Sequence, residues 1–229
     1  MENQKHTISL VIPAKNEEGG IAKIIESSKN LVDEILVIDG HSKDRTRELA
    51  LAHGAKVFLD NKRGKGDAYK VGLKEATGDI IVFIDADGSH DPGQIPALIE
   101  PLINDEADFV IGSRFKGGSD EWKGDLNTYV RAVGGGLLVL MINYVWKSGL
   151  TECLNGFRAI KREAGLRLDL KADDFDIEQH MIVQCLKKKL RVKEVASHEY
   201  ERKWGASKLP TYKKAYLFFW RLFLDIIQR

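Results

Sequence analysis

Cysteine is nearly absent, one-signed charge is absent, and no apolar run is long enough to settle the class of this 229-residue sequence on its own. The two cysteines, Cys153 and Cys185, stand 32 positions apart with no metal-ligand spacing around them, which leaves two reduced core thiols as the reading. Lys and Arg number 35 against 34 Asp and Glu, so the basic bias of a nucleic-acid binder is missing and no nucleic-acid partner is expected. No Gly/Ser linker, internal repeat or low-complexity tract divides the chain. The opening MENQKHTISLVIPA lacks the apolar core of a signal peptide and reads as a tail entering a strand, which suggests an intracellular protein. The run Val133 to Trp146 is 14 residues without a charge. A spanning helix needs about 20, so this one suits a buried helix or one lying in a membrane interface.

What the chain does have is length enough, at 43% hydrophobic residues, to bury one sizeable core with a small appendage. Short apolar runs alternate with helical patterns. ISLVIPA, EILVIDG, KVFL, DIIVFIDAD and ADFVIGSR read as strands. Between them, IAKIIESSKNL places Ile21, Ile24, Ile25 and Leu31 on one helical face, KDRTRELALAHG is closed by Gly54, and KGDAYKVGLKEAT ends near Gly78. Asp91 as N-cap and Pro92 at the first helical position open PGQIPALIEPLI. Such alternation predicts an α/β fold, a mostly parallel sheet with helices on both faces. After residue 115 come a Gly-rich loop (FKGGSDEWKGD), the uncharged helix, a strand in LNGFRAIKRE, a helix in DIEQHMIVQCLKKK and a strand in RVKEVASHEY.

Ligands of such sheets bind at the carboxyl ends of the strands. Polar residues stand there four times: Pro13 to Glu17, Asp39-Gly40, Asp85-Ala86-Asp87, and Gly112-Ser113-Arg114. In VFIDADGSHDP, Val82 to Pro92, an apolar strand runs into two carboxylates one residue apart. Three readings compete. Aspartates favour turns. A general acid/base pair is disfavoured, because alternate strand positions face opposite ways unless the strand has already ended. A divalent cation removes the repulsion, since hard ions want carboxylate and phosphate oxygens. The rest of the rim favours the ion. Arg114 suits phosphate, Asp39 suits ribose or base groups, and the Pro13–Glu17 turn suits a base; together they describe a nucleotide diphosphate held by Mg2+ or Mn2+. RGKGDA, Arg63 to Ala68, is not a phosphate-binding P-loop; it is either a basic helix start or a donor contact.

In order and spacing, IPAKNEE, VIDGHSKDRT, GKGDA, DADGSHDP and GSRF resemble the catalytic domain of glycosyltransferase family two. NGFRAI and YERKWGASKL narrow the resemblance to the branch that contains dolichyl-phosphate mannose synthase. It covers roughly residues 7–210. The resemblance implies a GT-A, Rossmann-like fold over 1–209, with 210–229 as an amphipathic interface helix. It implies an inverting enzyme that moves a hexose, mannose from GDP-mannose first, to a polyprenyl or dolichyl carrier. Pro13, Ala14, Lys15 and Glu17 fall where the family holds the nucleoside, with Ile38, Asp39 and Lys65. Asp85, Ala86 and Asp87 match its diphosphate motif, and Asp85, Asp87 and Ser89 its metal positions. Arg114, Arg202 and Lys208 match cations near the phosphates; Arg131 and Ser207 fall toward the acceptor. The sequence departs from the branch at Ser89 (usually Gln), Lys15 (an aromatic), Glu152 (Asp) and Asn155 (Ser), and the membrane domain of two to four helices that many relatives carry is not expected.

Negative charge grows on the leaving diphosphate as the sugar departs; the ion with Arg114, Arg202 and Lys208 would neutralise it. A lipid-phosphate acceptor is already an anion and needs no base, whereas a lipid-linked sugar hydroxyl does. In DDFDIEQH the candidates are Asp176 first and then Glu178; the competing reading is helix N-terminal charge. Residues 201–229 carry seven Lys/Arg and two Asp/Glu. There Ala215–Ile227, flanked by Lys213, Lys214, Arg221 and Arg229, suits an interfacial helix on anionic lipid. A final helix packed on the core, or a homodimer covering it, are the alternatives. These features predict a cytoplasmic protein attached peripherally to the inner face of the membrane. A UDP-glucose-dependent glucosyltransferase, and a non-catalytic protein that binds nucleotide sugar without turnover, are the other readings.

Overall fold

A computed structural model of the chain describes residues 6–121, 126–204 and 211–228. Its sheet contains β1 (Ile8–Ala14), β2 (Glu34–Asp39), β3 (Lys56–Leu59), β4 (Ile80–Phe83), β5 (Phe109–Ser113), β6 (Arg158–Lys161) and β7 (Val192–Ala196), in the order β3-β2-β1-β4-β6-β5-β7. All pairings are parallel except those of β6, which runs antiparallel between β4 and β5. Leu10, Val11 and Ile12 of β1 and all four residues of β4 are buried. Both faces of the central strands are covered, which is why their sequences are apolar without alternation.

One face of the sheet packs against α1 (Ile21–Ser28), α2 (Thr46–Ala52) and α4 (Ile95–Ile103), through Ile21, Ile25, Ala50, Leu98 and Leu102. The other is covered by α3 (Lys65–Glu75), α6 (Leu126–Trp146), α8 (Ile177–Lys187) and α9 (Thr211–Ile227), through Tyr69, Leu138, Ile142, Met181 and Leu222. Tyr69 stacks on Phe83 with ring centroids 4.3 Å apart. Cys153 and Cys185 are free thiols inside this second core. Two short helices, α5 (Arg114–Gly117) and α7 (Arg162–Leu166), follow directly on β5 and β6.

Three expected elements are shorter than their sequence patterns, with consequences for the rim. The strand expected through Asp87 ends at Phe83, so Asp85 and Asp87 lie in the turn beyond it. The strand expected from Leu154 begins at Arg158, because Asn155 is held in a turn: its side chain donates to Gly112 O (2.6 Å) and accepts the Phe157 N–H (2.9 Å). The loop expected after residue 115 starts with α5, and Ser119 bridges to Glu199. Since β6 starts at the carboxyl rim and runs away from it, its leading residues reach the ends of β4 and β5: Arg158 pairs with Phe83 and Ile111.

The C-terminal helix has two unlike faces. Phe218, Leu222 and Asp225 are buried, with Phe218 O accepting from Gln179 and Asp225 Oδ2 lying 2.7 Å from His180 Nδ1. Tyr216, Trp220, Phe223 and Ile227, spaced along the opposite face, are exposed. On α6, Leu138, Val139 and Ile142 enter the core while Val133, Leu137, Leu140 and Tyr144 form a second exposed stripe. By length and composition α6 is apolar enough to cross a membrane, and it is longer than the uncharged run alone suggested.

Candidate active site

Two cavities open along the carboxyl rim. The first, about 950 Å3, is lined by Pro13, Ala14, Lys15 and Glu17 after β1, by Ile38, and by Lys65, Asp85, Ala86 and Asp87. The second, about 470 Å3, runs between α6 and α9 and is lined by Tyr129, Val133, Leu137, Ala215, Phe218 and Phe219. Ser89, Arg131, Leu154, Phe175, Glu178, Glu199 and Arg202 line both.

The loop after β1, at one end of the larger cavity, is held by main-chain N–H groups that donate to side-chain hydroxyls. Asn16 N–H donates to Ser42 Oγ and Glu17 N–H to Thr46 Oγ1, each at 2.8 Å. Asn16, His41 and Lys62, all lining this cavity, have φ of 52°, 59° and 64°, a region that non-glycine residues rarely occupy and that clusters at functional sites. Asp39 does not line the cavity. It is fully buried, accepts the Ser42 N–H and faces Arg47 at 3.4 Å, so it shapes the loop from beneath. Asp60, which the sequence did not single out, does line it. Its Oδ1 accepts the Lys62 N–H at 2.8 Å.

At the other end, the two carboxylates of DADGS turn to different cations. Asp85 pairs with Lys65 Nζ at 2.7 Å, and the same Nζ lies 2.8 Å from Glu178. The glycines of GKGDA explain how Lys65 gets there. A Cβ on Gly64 or Gly66 would fall within 2.7 Å of the carbonyl oxygens of Asp173 or Ala172, so only glycines let α3 begin against that loop. Gly156 does the same for Asp85, whose Oδ2 would lie 2.4 Å from an added Cβ. Asp87 instead pairs with Arg202 Nη2 at 2.9 Å and accepts from Ser89, N–H at 2.9 Å and Oγ at 2.6 Å.

Burial and charge tune these groups. Burial opposes charge on Lys65, yet Asp85 and Glu178 hold its pKa well above the usual lysine value. Asp85 is pushed up by burial but brought below the usual range by Lys65. Glu178 stays above its ordinary value, because its burial outweighs Lys65 and Arg158. Arg158 is itself fully buried and donates to the carbonyls of Asn155 and Glu178, which fixes both segments. His90 stacks on Phe157, its Nδ1 makes no hydrogen bond, and burial lowers its pKa.

Arg114 lines the apolar cavity rather than the larger one. It is held by Glu152 (2.7 and 3.0 Å) and approached by Glu199 at 3.4 Å. Burial would raise Glu152, but Arg114 and the N–H groups of Leu154 and Cys153 bring it below the usual carboxylate range. Arg131 lines both cavities. Of the two candidate bases, Glu178 lines both cavities, whereas Asp176 lines neither and faces Arg221 at 3.6 Å. Burial raises the Asp176 pKa despite that arginine. Ser207 and Lys208 lie outside the described residues. Sequence patterns single out neither Glu199 nor Arg158, although the NGFRAI segment contains the latter.

Among the described residues no three His, Cys, Asp or Glu side chains converge as a preformed metal centre. Asp85, Asp87 and Ser89 are nonetheless hard oxygen donors, and an ion such as Mg2+ commonly takes one or two carboxylates and completes its shell with water and substrate phosphates. The donor set fits an ion that arrives with its diphosphate.

A parallel sheet with one antiparallel strand inserted beside its acidic rim defines a GT-A-type domain. Residues 9–165 match the family described as glycosyl transferase family 2, and the chain belongs to that family. It is 32% identical over 193 residues to the low-salt glycan biosynthesis hexosyltransferase Agl6 of Haloferax volcanii, covering 82% of this chain and 46% of that protein. It is 32% identical over 189 residues to the dolichol-phosphate mannosyltransferase of Pyrococcus furiosus, covering 77% of this chain and 52% of that one. The chain thus spans about half the length of each. Among solved structures, glucosyl-3-phosphoglycerate synthase from Mycobacterium tuberculosis in complex with Mn2+ and uridine-diphosphate-glucose superposes with a TM-score of 0.77 at 26% identity, covering 96% of this chain and 79% of that chain.

Proposed function

We propose that this chain is the catalytic domain of an inverting hexosyltransferase that carries a sugar from a nucleotide sugar to a polyprenyl or dolichyl phosphate at a membrane surface. The observation that carries the reading is the shared wall of the two cavities. A polar cavity sized for a nucleotide sugar meets an apolar one, and Arg131 and Arg202 stand where they join. An acceptor with an anionic head and a hydrocarbon tail fits that junction: head on Arg131, tail between α6 and α9.

In this reading Asn16, Glu17 and the loop above Asp39 orient the nucleoside. Asp85, Asp87 and Ser89 would hold a divalent ion, Mg2+ or Mn2+, which when bound supplies positive charge to the diphosphate. Arg202 stands beside the same carboxylate and adds a fixed cation at the leaving group. Lys65 bridges Asp85 and Glu178 and orients both at the floor. A phosphate acceptor is already an anion, so the bond to the sugar forms without a base as the bond to the diphosphate breaks on the opposite face. Glu178 then serves the charge balance of the floor. Arg114 would release Glu152 or Glu199 to meet an incoming phosphate.

Mannose from GDP-mannose is the proposed donor, supported by the likeness to the Pyrococcus furiosus protein. UDP-glucose is the second reading, favoured by the superposition on the synthase bound to that donor. The exposed stripes of α6 and α9 support a lipid surface beside the acceptor cavity. The test is transfer from radiolabelled GDP-mannose and UDP-glucose to dolichyl phosphate with Mn2+, read as label extracted into organic solvent. Label from one donor supports the reading; label from neither, with nucleotide sugar bound but unreacted, supports a non-catalytic binder.

A further inference from the structure

Trp204 stands outside both cavities, yet three glycines from two distant loops converge on its ring. An added Cβ on Gly88 would lie 2.4 Å from Cζ3, one on Gly20 2.8 Å from Cε3, and one on Gly19 3.1 Å from Cδ1. Gly88 follows Asp87 and has a φ of +76°, so glycine is required there for backbone and space alike. Gly19 and Gly20 follow the Glu17 turn at the nucleoside end and lead into α1. Lys23 of α1 places its Nζ 5.5 Å from the ring centroid. A single indole therefore rests on the nucleoside loop and the diphosphate turn together.

The backbone around the indole is sewn to the same turn. Tyr200 N–H donates to Ser89 O at 2.8 Å, and the N–H groups of Lys203 and Trp204 donate to Asp87 O at 3.1 and 3.3 Å. Between these stitches lies Arg202, whose guanidinium reaches the Asp87 carboxylate. Arginine has a long side chain with several rotatable bonds, and holding it in one place needs a fixed backbone on both sides.

We propose that Trp204 is a positioning residue: seated on Gly19, Gly20 and Gly88, it holds Arg202 on Asp87 and so couples the nucleoside end of the donor cavity to its diphosphate end. This rests on the donor reading above. Trp204 touches no donor atom itself; its effect on binding passes through Arg202.

The test is calorimetric binding of GDP and of UDP, each with Mn2+, to the full chain and to Trp204→Ala, Trp204→Phe, Arg202→Ala and the Trp204→Ala/Arg202→Ala double variant. For whichever diphosphate the wild type binds, Trp204→Ala should weaken affinity about tenfold, and Trp204→Phe should restore it to within about threefold. The double variant should bind within about twofold of Arg202→Ala alone, because the tryptophan acts through the arginine. Should circular dichroism show Trp204→Ala unfolded, Trp204→Leu carries the same comparison. Wild-type affinity in the alanine variant, or losses that simply add, would overturn the role of Trp204 while leaving the donor reading intact. A wild type that binds neither diphosphate overturns both.

Discussion

Asp85 and Asp87, two residues apart, turn to different cations: Lys65 at 2.7 Å for the first and Arg202 at 2.9 Å for the second. The repulsion implied by a D-x-D sequence is met inside the protein by one cation from the start of α3 and one from the segment after β7. That arrangement ties one carboxylate of the rim to α3 and the other to the segment after β7.

The floor has a stability consequence. Replacing Lys65 by Met leaves buried Glu178 and half-buried Asp85 with no shared cation, and the loss should be about 3 kcal/mol in urea denaturation. Adding Glu178→Gln to Lys65→Met should recover part of it, since one of the two stranded charges is removed. A Lys65→Met protein as stable as the wild type would show that the bridge contributes nothing.

Gly156 packs directly against the Asp85 carboxylate. Gly156→Ala puts a methyl 2.4 Å from Oδ2, so the carboxylate must move. The expected result is a folded protein, destabilised by about 1–3 kcal/mol, whose affinity for nucleoside diphosphate falls. Unchanged affinity would place the diphosphate away from Asp85.

Much of this was legible in the chain order of apolar runs. The β-α alternation and the polar residues after β1, β2, β4 and β5 are local signals, and they survive into the fold. What the sequence hid depends on the antiparallel insertion of β6, which no local pattern announces. It brings Arg158 to the ends of β4 and β5 and Gly156 against Asp85, from residues far along the chain. The same holds for Glu152 and Glu199 around Arg114: each is an ordinary glutamate in sequence, and only the packing of α5 against β7 sets them beside one guanidinium. Asp39 reads as a ligand residue because it ends a strand, yet its side chain turns inward to Ser42. Asp176 reads as the first base, yet its place at the start of α8 turns it toward Arg221 of α9.

Acid should weaken the fold through Glu34. Its carboxylate accepts from Ser9 Oγ, Thr77 N–H, Thr77 Oγ1 and Lys56 Nζ at 2.5–2.8 Å. Burial raises its pKa, but these partners outweigh burial and lower it from 4.5 to about 2. A depressed carboxylate contributes stability that is fully present above pH 4.5 and is lost as pH falls through about 2. Glu34→Gln should cost about 2 kcal/mol at pH 7, after allowance for solvent at the Lys56 side, and should flatten the fall in stability across that window.

The exposed face of α9 predicts lipid binding. Sedimentation with vesicles containing anionic lipid should carry the wild type down. Trp220→Ser/Phe223→Ser should weaken binding about tenfold or more, as two large apolar side chains no longer enter the interface. The buried face is untouched by these changes, so the melting temperature should hold. Equal sedimentation of the double variant would exclude this face as the contact.

In the proposed reaction the rim at Asp87 holds the leaving diphosphate. The most direct measurement is release of nucleoside diphosphate from GDP-mannose and UDP-glucose, with dolichyl phosphate and Mn2+, by the wild type and by Asp87→Asn at equal fold stability. The wild type should release product from one donor, and the variant should lose at least ~10²-fold; Asp87→Asn releasing product at the wild-type rate would exclude Asp87 from the diphosphate site.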